Sequence, residues 1–343
     1  MSTDLPSEEG LSARVRPAGP TSLRFDAEVL VVVRKAAQIA AVAAFISLSA
    51  CGGTEADEPE TQVTTREEFP VTVEAANGQV TVEHEPERIV SLSPTATETL
   101  FAIGAGDQVV AVDDRSDYPA DAPRTSLSGF EPNVEAILDY RPDLVIISDE
   151  SPSDLTQALD QLDVPVLAQP AAVDFNDAYE QFEELGAATG NAEEADELVA
   201  DIRDRIDQLV EELPDGPEMT VFHELGPDLF TASSNTFIGQ VYEHLGLANV
   251  ADEAATQAGT DYPQVSAEYL LAADPDLVIL ADGECCGVTP EQASARPGWN
   301  ALSAVRNDAV IVVGEDVASR WGPRVADFVE EVVDAVRAVR ESG

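Results

Sequence analysis

No lysine occurs after Cys51, and the chain's 18 basic residues face 66 acidic ones, for a formal net charge of -48. A surface of that sign repels nucleic acid and anionic lipid headgroups, so neither is an expected partner. Dense acidity has two simple origins, a saline habitat where salt screens the charge or acidic drift in a GC-rich genome, and neither names a ligand. Histidine is scarce too. His84, His223 and His244 are the whole supply, which is poor for a direct metal-binding protein. No GxGxxG follows a strand, and there is no Walker A sequence, GxSxG or HExxH, so the enzymes built on them are not expected. No apolar run reaches the length of a comfortable membrane span.

The longest apolar run is Ala36 to Ala50, behind Arg34 and Lys35. At about 15 residues it suits the apolar stretch of a signal peptide. It ends Leu48-Ser49-Ala50-Cys51-Gly52, which resembles the lipobox of bacterial lipoproteins. That resemblance implies cleavage before Cys51 and acylation of its sulfur, with multiple chains anchoring stably. Residues 1–51 therefore read as leader. Residues 1–30 are polar and unpatterned, and translation is expected to begin after them, at one of Val31 to Val33. Residues 52–68 are rich in Gly, Thr, Glu, Asp and Pro and read as a disordered acidic tether.

The remainder, with 44% hydrophobic residues over the full 343, has room for two domains. Val71, Val73, Asn77-Gly78, Val80 and Val82 predict a hairpin with a type I′ turn. Arg88 to Leu92, a helix from about Thr95 to Gly104, and Val109 to Val112 give βαβ alternation and a parallel sheet. An internal repeat follows. Asn133-Val134-Glu135-Ala136-Ile137-Leu138 leads to Arg141-Pro142-Asp143-Leu144-Val145-Ile146. Ser266-Ala267-Glu268-Tyr269-Leu270-Leu271 leads to Asp274-Pro275-Asp276-Leu277-Val278-Ile279. Each unit reads as a short capped helix, a Pro-Asp turn and a buried strand, with a glutamate in the same register. An acid in a first helical turn is favourable anyway by about 0.3–1 kcal/mol. That preference does not explain the same register twice. Between the units, Ala195, Leu198, Val199, Ile202, Ile206, Leu209, Val210 and Leu213 form one helical face. The expected organisation is α/β: an N-terminal lobe over 69–190, a long rigid helix over 191–214 and a C-terminal lobe over 215–343, with a cleft between two Rossmann-like lobes.

From about Phe69 onward the sequence resembles the cobalamin- and ferric-siderophore-binding proteins of ABC importers. The resemblance rests on Pro86-Glu87-Arg88-Ile89-Val90-Ser91-Leu92-Ser93-Pro94, Ser116-Asp117-Tyr118-Pro119, the two repeat units and Tyr262-Pro263-Gln264-Val265-Ser266. It implies a solute-binding protein, not an enzyme, acting as a monomer that carries its ligand to a permease dimer. It implies that Glu135 and Glu268 dock into arginine pockets there. No resident cofactor is implied, because any metal arrives within the ligand.

Cleft residues are expected at the C-terminal ends of strands. In the first lobe these are Ser93, Pro94, Arg115 and Phe130; in the second, His223, Glu224, Tyr262, Arg320 and Trp321. Matched to cobalamin binders, Arg115 stands where an aromatic is common, and Arg320 falls on an arginine position. Arginines suit a ligand with carboxylates or phosphate, so the expected cargo is an iron chelate of the siderophore type ahead of cobalamin or haem. Each arginine equally suits a structural ion pair. His223-Glu224 is more simply a packed pair than a metal site. Cys285-Cys286 fits a vicinal disulfide outside the cytoplasm, two free thiols, or part of a metal site with His223. Rival readings are a chelatase-like enzyme on the same scaffold and a surface lipoprotein without a transport role.

Overall fold

The computed structural model describes residues 69–342 apart from 149–152, 214, 215 and 217. The expected leader, the lipidated Cys51 and the tether over 52–68 lie outside the described residues.

The chain enters through an antiparallel hairpin, β1 (Val71–Ala75) and β2 (Gly78–Val82). The first lobe continues β3 (Ile89–Leu92), α1 (Pro94–Ala102), β4 (Val109–Asp113), β5 (Arg124–Leu127), α2 (Val134–Leu138), β6 (Leu144–Ser148), α3 (Ser153–Asp160), β7 (Val166–Gln169) and α4 (Phe175–Thr189). Then comes α5 (Ala192–Glu211). The second lobe begins β8 (Met219–Glu224), α6 (Phe237–His244), β9 (Leu247–Asn249), α7 (Ala251–Ala258), α8 (Ala267–Ala273) and β10 (Leu277–Leu280). It ends α9 (Gly283–Cys286), α10 (Pro290–Ser294), α11 (Ser303–Arg306), β11 (Val310–Val312), α12 (Glu315–Ser319) and α13 (Val325–Ser342).

Two parallel sheets result, ordered β5-β4-β3-β6-β7 and β11-β10-β8-β9. Strands β3, β7 and β10 are buried at every position, as expected for strands covered by helices on both faces. Strand order reverses between β3 and β6 in one lobe and between β8 and β10 in the other. Connections at such points are where open α/β sheets hold ligands.

The hairpin differs from its sequence expectation. Ala75 pairs with Gly78, so the turn is Ala76-Asn77, and only Gly78 has a positive φ, at 102°. A type I′ turn centred on Asn77-Gly78 is not formed. The reason is tertiary. Asn77 donates to the Val166 carbonyl at 2.9 Å and accepts from the Ala168 amide at 3.1 Å. The side chain that elsewhere favours a left-handed turn here pins the hairpin to β7.

The α5 face buries Ala195, Val199, Ile202, Ile206 and Leu209. It packs on α4 from the first lobe and on α13 from the second. The approach to α4 is close: a Cβ at Gly186 would stand 2.5 Å from the Ala195 Cβ.

Candidate functional site

The repeat units have the same local chemistry. Asn133 caps α2 by accepting from the Ala136 amide, and Ser266 caps α8 by accepting from the Tyr269 amide. Each helix is followed by a residue of positive φ, Arg141 at 49° and Asp274 at 45°. Pro-Asp comes next. The Asp143 carboxylate accepts from the Glu87 and Arg88 amides, both at 2.9 Å. The Asp276 carboxylate accepts from the Thr220 amide and hydroxyl, both at 2.9 Å. So the aspartate of each repeat ties its turn to the start of a neighbouring strand. The glutamates do no such work. Glu135 and Glu268 are exposed on the first turns, and among the described residues neither side chain makes a hydrogen bond or ion pair.

The strand ends that were expected to supply ligand contacts divide into two groups. His223 and Glu224 are fully buried, which corrects their placement in the cleft. His223 Nδ1 shares a hydrogen bond with the Tyr242 hydroxyl, and burial pushes the imidazole pKa down to about 3. Glu224 receives a bidentate grip from Arg296 at 2.6 and 2.7 Å. Burial raises its carboxyl above the usual range, Arg296 opposes that shift and Asp282 adds to it. Arg296 lies over the Trp299 ring at 4.6 Å, so this corner is a structural ion pair in the C-terminal lobe. Ser93 is also buried, capping α1 at the Ala96 amide, and Pro94 starts that helix half-buried.

Arg320 and Trp321 do not face open solvent either. Arg320 is 12% exposed and meets Glu98 at 2.9 Å, Asp117 at 3.2 Å and Asp316 at 2.7 Å. It also donates to the Arg115 carbonyl at 3.1 Å. Arg324 holds both oxygens of Glu98, at 2.8 and 2.6 Å, and lies 4.2 Å from the Tyr118 ring centroid. The indole Nε1 of Trp321 donates to Gln181 Oε1 at 3.0 Å. These contacts join the loop after α12 to α1, the β4–β5 connection and α4, and they make a bridge between lobes. Arg115 is different. Its side chain is exposed and, among the described residues, forms no ion pair.

Glu98 is the residue that sequence reasoning missed. It is 3% exposed and stands between two guanidiniums more than 220 positions away. Nothing in Pro94-Thr95-Ala96-Thr97-Glu98 marks it, beyond being an acid inside an otherwise uncharged helix.

Exposed aromatic rings lie on loops near the strand ends of both lobes. Tyr118, Phe130, Phe230 and Tyr262 are 46%, 75%, 44% and 51% exposed. Tyr118 and Phe130 lie on the connections after β4 and β5. Phe230 follows β8 and bridges to Gly226 and Gln264, which laces the Tyr262 loop to that strand end. Tyr118 and Phe230 had not been singled out as ligand contacts. Cys286 is disulfide-bonded, on α9 after β10, while the side chain of Cys285 lies outside what is described. Among the described residues no cluster of three or more His, Cys, Asp or Glu is set to hold a metal ion. None of the described helices is long and apolar enough to cross a membrane.

Two parallel-sheet lobes bridged by one helix, with exposed rings on the loops after the strands, fit a two-lobed solute-binding protein. The chain belongs to the periplasmic binding protein family, whose model matches residues 89–317. It is 32% identical over 305 residues to an uncharacterised ABC transporter substrate-binding lipoprotein, YvrC, of Bacillus subtilis, covering 85% of this chain and 94% of that one. It is 33% identical over 317 residues to a cobalamin-binding protein of Halobacterium salinarum, covering 87% and 84%. The solved vitamin B12-binding protein BtuF of Vibrio cholerae superposes with a TM-score of 0.63 at 27% identity, over 75% of this chain and 99% of that one. The function is solute binding in association with transport.

Proposed function

We propose that this chain is a lipid-anchored receptor on the outer face of the cell membrane, held through Cys51, that captures a corrinoid and delivers it to an ABC permease dimer. It works as a monomer, performs no catalysis and needs no resident cofactor, since the metal travels inside the cargo. The observation that carries delivery is the contrast within the repeat. Asp143 and Asp276 are consumed by internal hydrogen bonds. Glu135 and Glu268, in the same two units, have no internal partner among the described residues. Carboxylates fixed on first helical turns, one per lobe, suit two guanidinium forks on a partner.

The cargo follows from the open part of the cleft. Four exposed rings offer stacking and apolar contact to a macrocycle. The case for an anionic iron chelate drew on arginines, and Arg320 and Arg324 already hold carboxylates. The relative at 33% identity is named for cobalamin.

Isothermal titration calorimetry with cyanocobalamin, haem and ferric tris-catecholate tests the cargo. Cyanocobalamin is expected to bind at about micromolar Kd or tighter; binding of a ferric chelate alone overturns the corrinoid reading. For delivery, Glu135→Lys with Glu268→Lys should abolish uptake in cells while leaving affinity within about twofold, because rim charges steer partners without building the cleft. Uptake that survives both changes, or cargo binding that is lost with them, sinks the docking assignment.

A further inference from the structure

We infer that Glu98 sets ligand selectivity by taking two of the three arginines at the lobe junction out of ligand contact. The inference rests on the corrinoid reading and names the residue behind it. Arg320 and Arg324 meet at the junction, and Arg320 reaches the Arg115 backbone carbonyl. Three guanidiniums together would form a strong receptor for a polyanion. In this chain two of them face Glu98, which is buried and bound by both. Asp117 and Asp316 complete the shell around Arg320. Two guanidiniums thus meet three carboxylates, so neither has charge left over for a ligand anion.

The geometry leaves little for a ligand anion to use. The Arg320 side chain is 12% exposed and Arg324 21%. Arg320 also donates to the Arg115 carbonyl, and Arg324 covers a face of Tyr118. A carboxylated or catecholate chelate would have to displace carboxylates already in place on both guanidiniums. A neutral ring system meets no such penalty. It finds Tyr118 with Arg324 over its ring, and an exposed cation in Arg115. Selectivity is then built partly by repulsion, as specificity often is.

The test uses the mature chain, with Glu98→Gln as the main variant and Asp117→Asn, at a residue 42% exposed, as a milder one. Glu98→Gln should bind ferric tris-catecholate about tenfold or more tighter than wild type, with a gain that shrinks from about 0.1 M to about 1 M NaCl as the freed charge is screened. Affinity for cyanocobalamin should move less than about threefold, because all four rings are retained and only the Arg324 contact to Tyr118 is disturbed. Asp117→Asn should show a smaller gain, about threefold, and carries the test if Glu98→Gln does not fold.

A second readout needs no cargo. The chain has two tryptophans, and Trp299 is 2% exposed, so collisional quenching reports Trp321, next to Arg320. Iodide quenching relative to acrylamide should rise about twofold in Glu98→Gln as cations are released. A folded variant with no gain for the chelate and no change in the iodide ratio overturns the inference. Wild type that fails to bind cyanocobalamin, together with a raised iodide ratio in the variant, overturns the cargo and leaves the role of Glu98 standing.

Discussion

At the scale of single residues, burial decided what composition left open. His223 and Glu224 sit at the end of a strand, where a sequence reading places ligand contacts, yet both point into the packed lobe. The period of a strand says which residues share a face; with both faces covered by helices, neither face is the cleft, and the period is silent on which strand-end side chains turn outward. Glu98 was illegible for another reason, since its partners come from the far lobe. Burial also sets a pH dependence. Burial pushes the Glu184 carboxyl up to about 7 against a hydrogen bond from Gln169, with Glu180 and Glu74 adding to the rise. Its folded pKa therefore lies above the unfolded value of 4.5. The folded state holds the proton more tightly, so stability is lost as pH rises from about 4.5 through about 7. Glu184 is half-buried, so solvent screens much of that shift, and Glu184→Gln should match wild type near pH 4 and exceed it by about 1 kcal/mol near pH 8. Urea melts at the two pH values check this. A constant difference between the proteins would show that Glu184 titrates normally. His223 acts with the opposite sign. Its pKa of about 3 lies below the ordinary 6.5, so its contribution is lost as pH falls below 6.5. Subtracting wild type from variant removes that slope.

At the scale of elements, the sequence was most legible where a period ran long or a unit recurred. The apolar face of α5 was readable from spacing alone, and the repeat located α2–β6 and α8–β10. The positive φ at Arg141 and Asp274 shows why the units match in length, because each helix must reverse before its Pro-Asp turn. Short elements without a pattern, such as β5, β9 and α9, were not readable; they exist because a sheet or loop beside them needs them. The hairpin turn was read from a dipeptide and reshaped by a contact to β7 across more than 85 residues. Helix α4 shows what local spacing omits. Gly186 admits α5 to within contact, and a methyl there would meet Ala195, the Asn191 carbonyl and Ala192. Gly186→Ala has helix propensity in its favour by roughly 0.5–1 kcal/mol. Overpacking should outweigh it and destabilise by about 1–3 kcal/mol. Equal or greater stability in urea unfolding would mean that the two helices can part without loss.

At the scale of the whole molecule, the lobes are tied at two separate places. Along the back, α5 packs on α4 and α13, and Arg205 of α5 pairs with Asp327 at 2.7 Å and with Glu330 on α13. Those pairs are exposed and worth little alone, so the apolar face of α5 is the main restraint there. At the junction, Glu98 gathers Arg320 and Arg324, and Trp321 reaches Gln181. A hinge closure would have to bend one continuous helix and break buried, hydrogen-bonded charges, and losing a partner from such a cluster costs about 3–5 kcal/mol. Ligand binding supplies energy for a large closure only where the closed form makes contacts that the open form lacks. Rings already exposed on both lobes leave few such contacts to be gained. The radius of gyration from small-angle scattering should therefore change by less than about 0.5 Å on saturation with cargo, in keeping with the small movements of pre-organised binders. The same measurement on Glu98→Gln separates the two ties. If the junction cluster contributes to rigidity, the unliganded variant should scatter as a slightly larger particle, and cargo should contract it. If α5 alone holds the lobes, wild type and variant should superpose with and without ligand. A contraction of several ångströms in wild type would show that neither tie restrains the lobes.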